Sequence, residues 1–354
     1  MSSLCIHGFV SAETPLTLEA NDIAGGLRLC AEGGIAAIVA AAPECGFHQL
    51  PREQAASLLL RHQQVLEAAM AQTTVLPAKF GTSAPDEQAV RRMLIQGNPL
   101  LGTQLADFAG RLQMEIVVLW PLDKIFAAIA ADAKIADLRS RAQASSDAAM
   151  KTQLGEAVKA ALDQRRASLS EEICSVLRGA AIDMAVNPIL DDRIVANVAL
   201  LINKGDLCHL ETVLERLDAE NDGRLIFRCI GPLPPANFAT VAIEFLPCEA
   251  IDRARQILKL GPQASQGDIK SAYHRLARAH HPDSACHDGQ DARMSELSQA
   301  YRFLMTCAKA RTPEAKDGTS PFDADAADGI VLIEIVRRDL RTAAGSGAAR
   351  ECAA

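Results

Sequence analysis

The chain of 354 residues has no apolar stretch long enough to cross a bilayer. The longest, Ile35 to Ala42, is far short of the roughly 20 residues a spanning helix needs. Met1 to Val10 lacks a basic segment followed by an apolar one, so a cleaved secretory signal is not expected and a cytoplasmic location is. No Cys-x-x-Cys pair occurs among the ten cysteines, which stand singly, most beside apolar neighbours. That spacing favours buried free thiols over a zinc ribbon or a disulfide framework. A phosphate-binding Gly-x-x-x-x-Gly-Lys-Ser/Thr loop is missing, so nucleotide hydrolysis by this chain is not expected. Positive charge is not in excess either: 36 Lys and Arg face 44 Asp and Glu, a net charge of −8 that argues against a general nucleic-acid binder. Aromatics are scarce, at 10 Phe, 2 Tyr and 1 Trp. Cores must then be filled by small aliphatic side chains, which favours close helix packing.

What the chain does have is enough apolar residue, 49%, to build two or three cores. Its charge is uneven: residues 252–310 carry +3, the tail from 311 carries −2, and residues 1–251 carry −9. A basic module sits on an acidic protein. Short apolar runs at Leu4 to Val10, at Gly34 to Ala41 after Gly33, at Val75 to Phe80 and at Met114 to Leu119 read as strands. Between them a helix is predicted from Pro51 to Met70, with Leu58, Leu59, Val65, Leu66 and Ala69 on one face. Another is predicted from Ala89 to Leu112, broken near Gly97-Asn98-Pro99. Residues 1–121 thus form an α+β domain. Residues 122–190 are rich in Ala, Leu, Lys, Glu and Arg and read as long helices with a break at Ser145-Ser146. Residues 191–248 read as β-α-β-β, with strands at Ile194 to Ile202, Arg224 to Ile230 and Ala239 to Phe245. The fold class is α+β: two sheet-containing domains, open to a ferredoxin-like arrangement, joined by long helices.

Two phrases carry a resemblance. Arg61-His62 in the first helix leads to Leu76-Pro77-Ala78-Lys79-Phe80-Gly81-Thr82, and Gly231-Pro232-Leu233-Pro234-Pro235 follows the third of the later elements. Over residues 1–246 this order resembles the GvpF/GvpL family of gas vesicle proteins. The resemblance implies an accessory protein of gas vesicle formation that contacts the hydrophobic shell protein and other gas vesicle accessory proteins. The chain departs from the family at Leu233, Ala236 and Asn237, where aromatics often stand. Physically, Arg61 and His62 are read as hydrogen-bond donors that brace helix against strand. A His62-centred enzyme lacks a nucleophile with a supporting acid, so no catalytic residue is assigned. Gly81 is read as a position of unusual backbone conformation and Pro77 as a strand edge or end. Gly231, Pro232, Pro234 and Pro235 make a stiff exposed corner that serves either as a rigid turn or as a docking motif.

Residues 252–310 follow with Asp268 to Asp283. Ile269, Tyr273, Leu276 and Ala277 form one apolar stripe, while Lys270, His274, Arg275 and Arg278 lie on other faces. Pro282 disfavours helix at His281 and turns the chain, and a second amphipathic helix carries Met294, Leu297, Ala300, Tyr301 and Leu304. With its His281-Pro282-Asp283 signature this segment resembles the all-α J domain of DnaJ-type co-chaperones. The resemblance implies docking on a DnaK-type chaperone through His281, Pro282, Asp283, Lys270, Arg275 and Arg278. Ser284-Ala285 stands where a lysine often follows. His274, His280, His281 and His287 cluster with Cys286, but helix and loop account for their positions, so no metal and no cofactor is assigned. Residues 311–354 read as a linker and tail. Within it, Ile330 to Val336 is either an element packing back on the body or a segment engaging shell protein, and Ala343 to Ala354 is expected to be disordered. The combined expectation is a non-enzymatic gas vesicle assembly factor that brings a DnaK-type chaperone to shell subunits, at the gas vesicle, without nucleic acid or membrane. A DnaJ-type co-chaperone with unrelated clients is the alternative.

Overall fold

A computed structural model describes residues 3–14, 16–17, 26–43, 47–144, 147–279, 290–311, 319–321 and 330–337. In chain order these form β1 (Leu4–Ser11), β2 (Arg28–Glu32), β3 (Ile35–Ala41), α1 (Arg52–Met70), β4 (Leu76–Pro77), β5 (Ser83–Ala84), α2 (Glu87–Asp107) and β6 (Arg111–Leu119). Then come α3 (Leu122–Ala130), α4 (Ala133–Ala144), α5 (Ala148–Gly179), β7 (Asp183–Val186), β8 (Ile194–Asn203), α6 (Leu207–Glu220), β9 (Ile226–Leu233) and β10 (Thr240–Leu246). Last are α7 (Cys248–Ile257), β11 (Gln263–Ser265), α8 (Gln266–Ala279), α9 (Gln290–Arg311), β12 (Thr319–Pro321) and β13 (Ile330–Val336). This is an α+β chain with several sheets and a helical C-terminal region. It divides into two compact units, one from residues 1–65, 78–102 and 241–335, the other from 66–77, 103–240 and 336–354.

In the first unit β1 is the inner strand. Leu4 to Val10 are all buried, as expected of a strand covered on both faces. It pairs antiparallel with β3, from Leu4↔Ala41 to Ser11↔Ile35, and β3 pairs with β2. Gly33 (φ +60) and Gly34 (φ +84) form the two-residue hairpin between them, a turn that needs positive φ at both positions. The register of β1 shifts between Ile6 and Gly8, so His7 is the extra residue of a bulge. Farther along the chain β10 pairs with β13, and Val241 forms a parallel bridge to Ala78. Helices α7, α8 and α9 share one core, built on residues such as Leu258, Ile269, Leu276 and Leu304; Leu246 from β10 and Ile330 from β13 complete it.

The second unit is built on the antiparallel sheet β7-β8-β6-β9. One face of β6, with Leu112, Met114, Ile116 and Val118, packs with β8 against Ile173 and Leu177 of α5 and Leu210 and Leu217 of α6. Asp147 caps α5 by accepting from the Ala149 backbone N–H at 2.9 Å.

Several expectations change. The strand at Met114 to Leu119 lies in the second sheet, between β8 and β9, and the strand at Ala239 to Phe245 pairs with β13 in the first unit. A strand's side-chain pattern fixes which faces are buried but says nothing of which strand lies beside it. Helix α2 runs through Gly97-Asn98-Pro99 without ending. Leu59 is exposed, unlike its neighbours on the predicted stripe. Strand β7 arises in a stretch read as helical, and Ser145-Ser146 lies outside the described residues. Ile330 to Val336 packs back on the body as β13; the expectation for 343–354 also falls outside the described residues.

Candidate functional site

The bulge in β1 aims His7 at α1, where it meets His62. Their Nδ1 atoms are 3.1 Å apart and both rings are buried. Phe80 and His62 meet in a T-shaped contact with centroids 5.6 Å apart, and Phe47 packs on Phe80 at 5.2 Å. Burial lowers the pKa of His62, against a hydrogen bond to the Ala78 backbone that favours the protonated ring. Such a bond is one donated to the carbonyl, and a hydrogen bond between the two Nδ1 atoms needs one of them protonated and the other bare. His7 is pushed down to about 4 by burial, then by the charges of His62 and Arg61. The neighbouring Cys5 thiol is pushed up to about 11 by burial, a protonated and unreactive state at neutral pH. A cavity of about 390 Å³ opens beside the pair, lined by Cys5, His7, Phe47, Leu58, Arg61 and Phe80.

His62 is thus buried between α1 and β1, and the side chain it meets there is another imidazole. Sequence reasoning does not single out His7. The available signal is a histidine inside Leu4 to Val10, a run with no other polar side chain except a thiol. Leu76 and Pro77 form the short strand β4, where Pro77 is the last residue, and Gly81 has φ +86, which favours glycine. Strand pairing continues past them: the Ala78 N–H donates to the His7 carbonyl at 2.9 Å and the Lys79 N–H to the Val241 carbonyl at 2.8 Å.

The glycine-proline phrase is exposed at Gly231 and Pro232, as expected, but forms no corner there. Strand β9 runs through it to Leu233, and the register with β6 shifts between Gln113 and Glu115, so Gly231 and Pro232 occupy a bulge. A bulge spares the strand the ladder N–H that Pro232 lacks. Gly231 has φ +147, and a Cβ there would stand 2.5 Å from Met114 Sδ and 3.0 Å from the Gln113 carbonyl oxygen. Pro234 and Pro235 are buried. Asn237, one of the departures from the family wording, is buried too: its N–H donates to Gln113 Oε1 at 3.0 Å and its side-chain amide to Asn187 Oδ1 at 3.2 Å. Pro232 and Pro235 also line a cleft of about 420 Å³ with Val75, Phe108, Arg111 and Lys204.

In the C-terminal helices, Ser265 and Asp268 form a reciprocal cap on α8, Ser265 N–H donating to Asp268 Oδ2 at 2.8 Å and Asp268 N–H to Ser265 Oγ at 3.1 Å. Ile269, Ala272 and Leu276 are buried against α9, and Tyr273 stacks on Tyr301 with centroids 4.5 Å apart. This leaves Lys270, His274, Arg275 and Arg278 exposed, a basic face as the spacing predicts. His281, Pro282 and Asp283 lie outside the described residues, as do His280, Cys286 and His287. Short strands β11 and β12 pair beside the helices, Ala264 opposite Ser320.

A family model for the gas vesicle synthesis protein GvpL/GvpF matches residues 6–240. The chain belongs to the GvpL/GvpF family. A DnaJ domain model matches residues 256–312, so this GvpL/GvpF protein carries a J domain on the same chain. Gas vesicle protein F of Streptomyces sp. (strain CB03234) is 28% identical over 217 residues, 60% of this chain and 87% of that protein. Chaperone protein DnaJ of Erysipelothrix rhusiopathiae is 35% identical over 68 residues, 19% of this chain; the match spans only 18% of that chaperone. The crystal structure of GvpF from Anabaena sp. PCC7120 shares the fold at a TM-score of 0.53 and 21% identity, covering 66% of this chain and 97% of that one. That of GvpF from Microcystis aeruginosa gives 0.52 and 19%, covering 66% and 98%. Both the histidine pair and the proline bulge fall within the GvpL/GvpF stretch, and the basic helix within the DnaJ stretch. No helix among the described residues is long and apolar enough to cross a membrane.

Proposed function

We propose that this GvpL/GvpF protein is a gas vesicle assembly factor that holds shell protein through residues 1–246 and recruits a DnaK-type chaperone through its J domain. The observation that supports it is the pairing, on one chain, of a GvpL/GvpF stretch with a DnaJ stretch whose basic helix is exposed. The mechanism is recruitment: the attached gas vesicle fold selects the client, and ATP is hydrolysed by the partner. The protein acts without bond chemistry of its own, and the His7–His62 pair is a structural brace. In the docked complex Asp283 supplies charge, Pro282 a fixed backbone and His281 an orienting hydrogen bond, while Lys270, Arg275 and Arg278 steer the encounter.

Asp283→Asn is nearly isosteric, so it should abolish stimulation of a DnaK-type ATPase while leaving circular dichroism and shell-protein pull-down unchanged. Stimulation by the unaltered protein should weaken as salt shortens the Debye length to about 3 Å at 1 M. Equal stimulation by both proteins sinks the recruitment step. Stimulation without any shell-protein association leaves a co-chaperone with other clients.

A further inference from the structure

Strand β9 ends the sheet order β7-β8-β6-β9, and among the described residues no strand pairs with its outer edge. Its inner edge is fixed to β6, from Leu119↔Ile226 to Glu115↔Ile230. An outer edge strand presents unpaired N–H and C=O groups, a template that proteins usually blunt or cover. The usable window is defined at both ends. At its start Leu225 is buried and its N–H donates to Asp218 Oδ1 at 3.3 Å; at its finish the bulge at Gly231 and Pro232 interrupts the ladder. Within it, alternate residues point to one face, and these are Ile226, Arg228 and Ile230. Ile226 is 60% exposed and Ile230 50%, with an exposed Arg228 between them.

This pattern selects among occupants. A two-fold antiparallel pairing with a second copy that sets Ile226 against Ile230 also sets Arg228 against Arg228, and like charges directly opposite are destabilising. An incoming strand with an acidic side chain opposite Arg228 and branched apolar ones two residues to either side removes that conflict and covers both isoleucines. The nearby Asp191 is already engaged by Arg193, whose Nε donates to its two oxygens at 3.1 and 3.0 Å, and Glu115 sits on the inner side across from Ile230.

We propose that the β9 edge between Ile226 and Ile230 is a strand-addition site for an extended segment of a partner protein, with apolar, acidic and apolar side chains at alternate positions. Main-chain hydrogen bonds supply affinity and the alternating side chains specificity. The proposal stands apart from chaperone recruitment, which is assigned to the DnaJ stretch at residues 256–312.

The test is fluorescence anisotropy with full-length protein and a labelled synthetic peptide in which threonine alternates with valine, glutamate and valine. Saturable binding is expected, weakened at least tenfold by Arg228→Glu. A peptide with lysine in place of glutamate should reverse that order, binding Arg228→Glu better than the unaltered protein. A peptide N-methylated on the backbone nitrogens of one edge, and its counterpart methylated on the other, should differ by at least tenfold, because only one edge can meet β9. Ile226→Thr combined with Ile230→Thr should lower binding without changing thermal unfolding, since both side chains are exposed. No binding, equal binding of the lysine and glutamate peptides to the unaltered protein, or indifference to both methylation patterns overturns the proposal. So does sedimentation showing a dimer that Ile230→Lys dissociates, which would assign the edge to a second copy.

Discussion

A buried imidazole pair is stable only while neutral, and this sets a pH dependence at the residue scale. His7 has a folded pKa of about 4 against an ordinary 6.5. Below pH 6.5 the unfolded chain therefore binds a proton that the folded one refuses, so stability falls as pH drops from about 6.5 toward 4 and is fully present above that window. Between pH 7.5 and 5 the loss from His7 is about 2 kcal/mol by linkage. His62, lowered by burial as well, shifts in the same direction. Urea unfolding followed by fluorine NMR of fluorinated Phe9 and Phe80 should show this loss, and His7→Gln, which keeps hydrogen-bonding capacity but cannot titrate, should shrink it. An unchanged gap between the two pH values would remove His7 as its source. His62 was legible in the sequence through the Arg61-His62 phrase that carries the family resemblance, and it is buried on α1 like Val65, Leu66 and Ala69. His7 was not, because nothing in local periodicity links a strand residue to a helix position 55 residues away.

At the scale of elements, the same residue type has opposite meanings. Gly155 lies inside α5 with open space where a Cβ would stand, nothing being within 4 Å, whereas Gly231 combines φ +147 with a Cβ position against Met114 and Gln113. Gly155→Ala should raise stability by about 0.5–1 kcal/mol, since alanine loses less backbone entropy on entering a helix. Gly231→Ala should lower it by about 1–3 kcal/mol through backbone strain. Trp120, buried in the same core, reports both by fluorescence in a urea titration. Equal midpoints for the two variants would contradict the assignment. Helices and strands were largely legible because composition and hydrophobic period are local; α5 follows its helix-forming composition and α8 its stripe. The passage of α2 through Pro99 was not. Proline removes the N–H that would bond the carbonyl four residues earlier, at Ile95, and α2 nonetheless continues to Asp107. The bulge that admits Pro232 into β9 was equally hidden, since it depends on register with β6.

At the scale of the whole molecule, the question is whether the C-terminal helices are a module that begins and ends with the DnaJ stretch. Their core says otherwise. Leu246 at the end of β10 and Ile330 at the start of β13 are buried with Leu258, Ile269 and Leu304, and Leu332 packs on the same cluster. β13 also reaches α2, where a Cβ on Gly97 would come 2.5 Å from Ile333 Cδ1. The apolar run at Ile330 to Val336, conspicuous in a polar tail, is thus a strap between the gas vesicle fold and the helices. Sequence could supply its hydrophobicity but not its destination, because a seven-residue strand carries no information on which edge it joins. A chain ending at residue 329 should lose the strap's buried apolar area, at roughly 25 cal/mol per Å², and open the helical core more often. Amide hydrogen exchange at Leu304 and Cys307 of α9 should then accelerate at least tenfold, while Val118 in β6 of the other unit keeps its rate. Ile330→Ala in the full chain should give a smaller acceleration at the same amides. If α9 exchanges at the same rate with and without residues 330–354, the strap contributes nothing to the core, and the helices are independent of the fold that carries them.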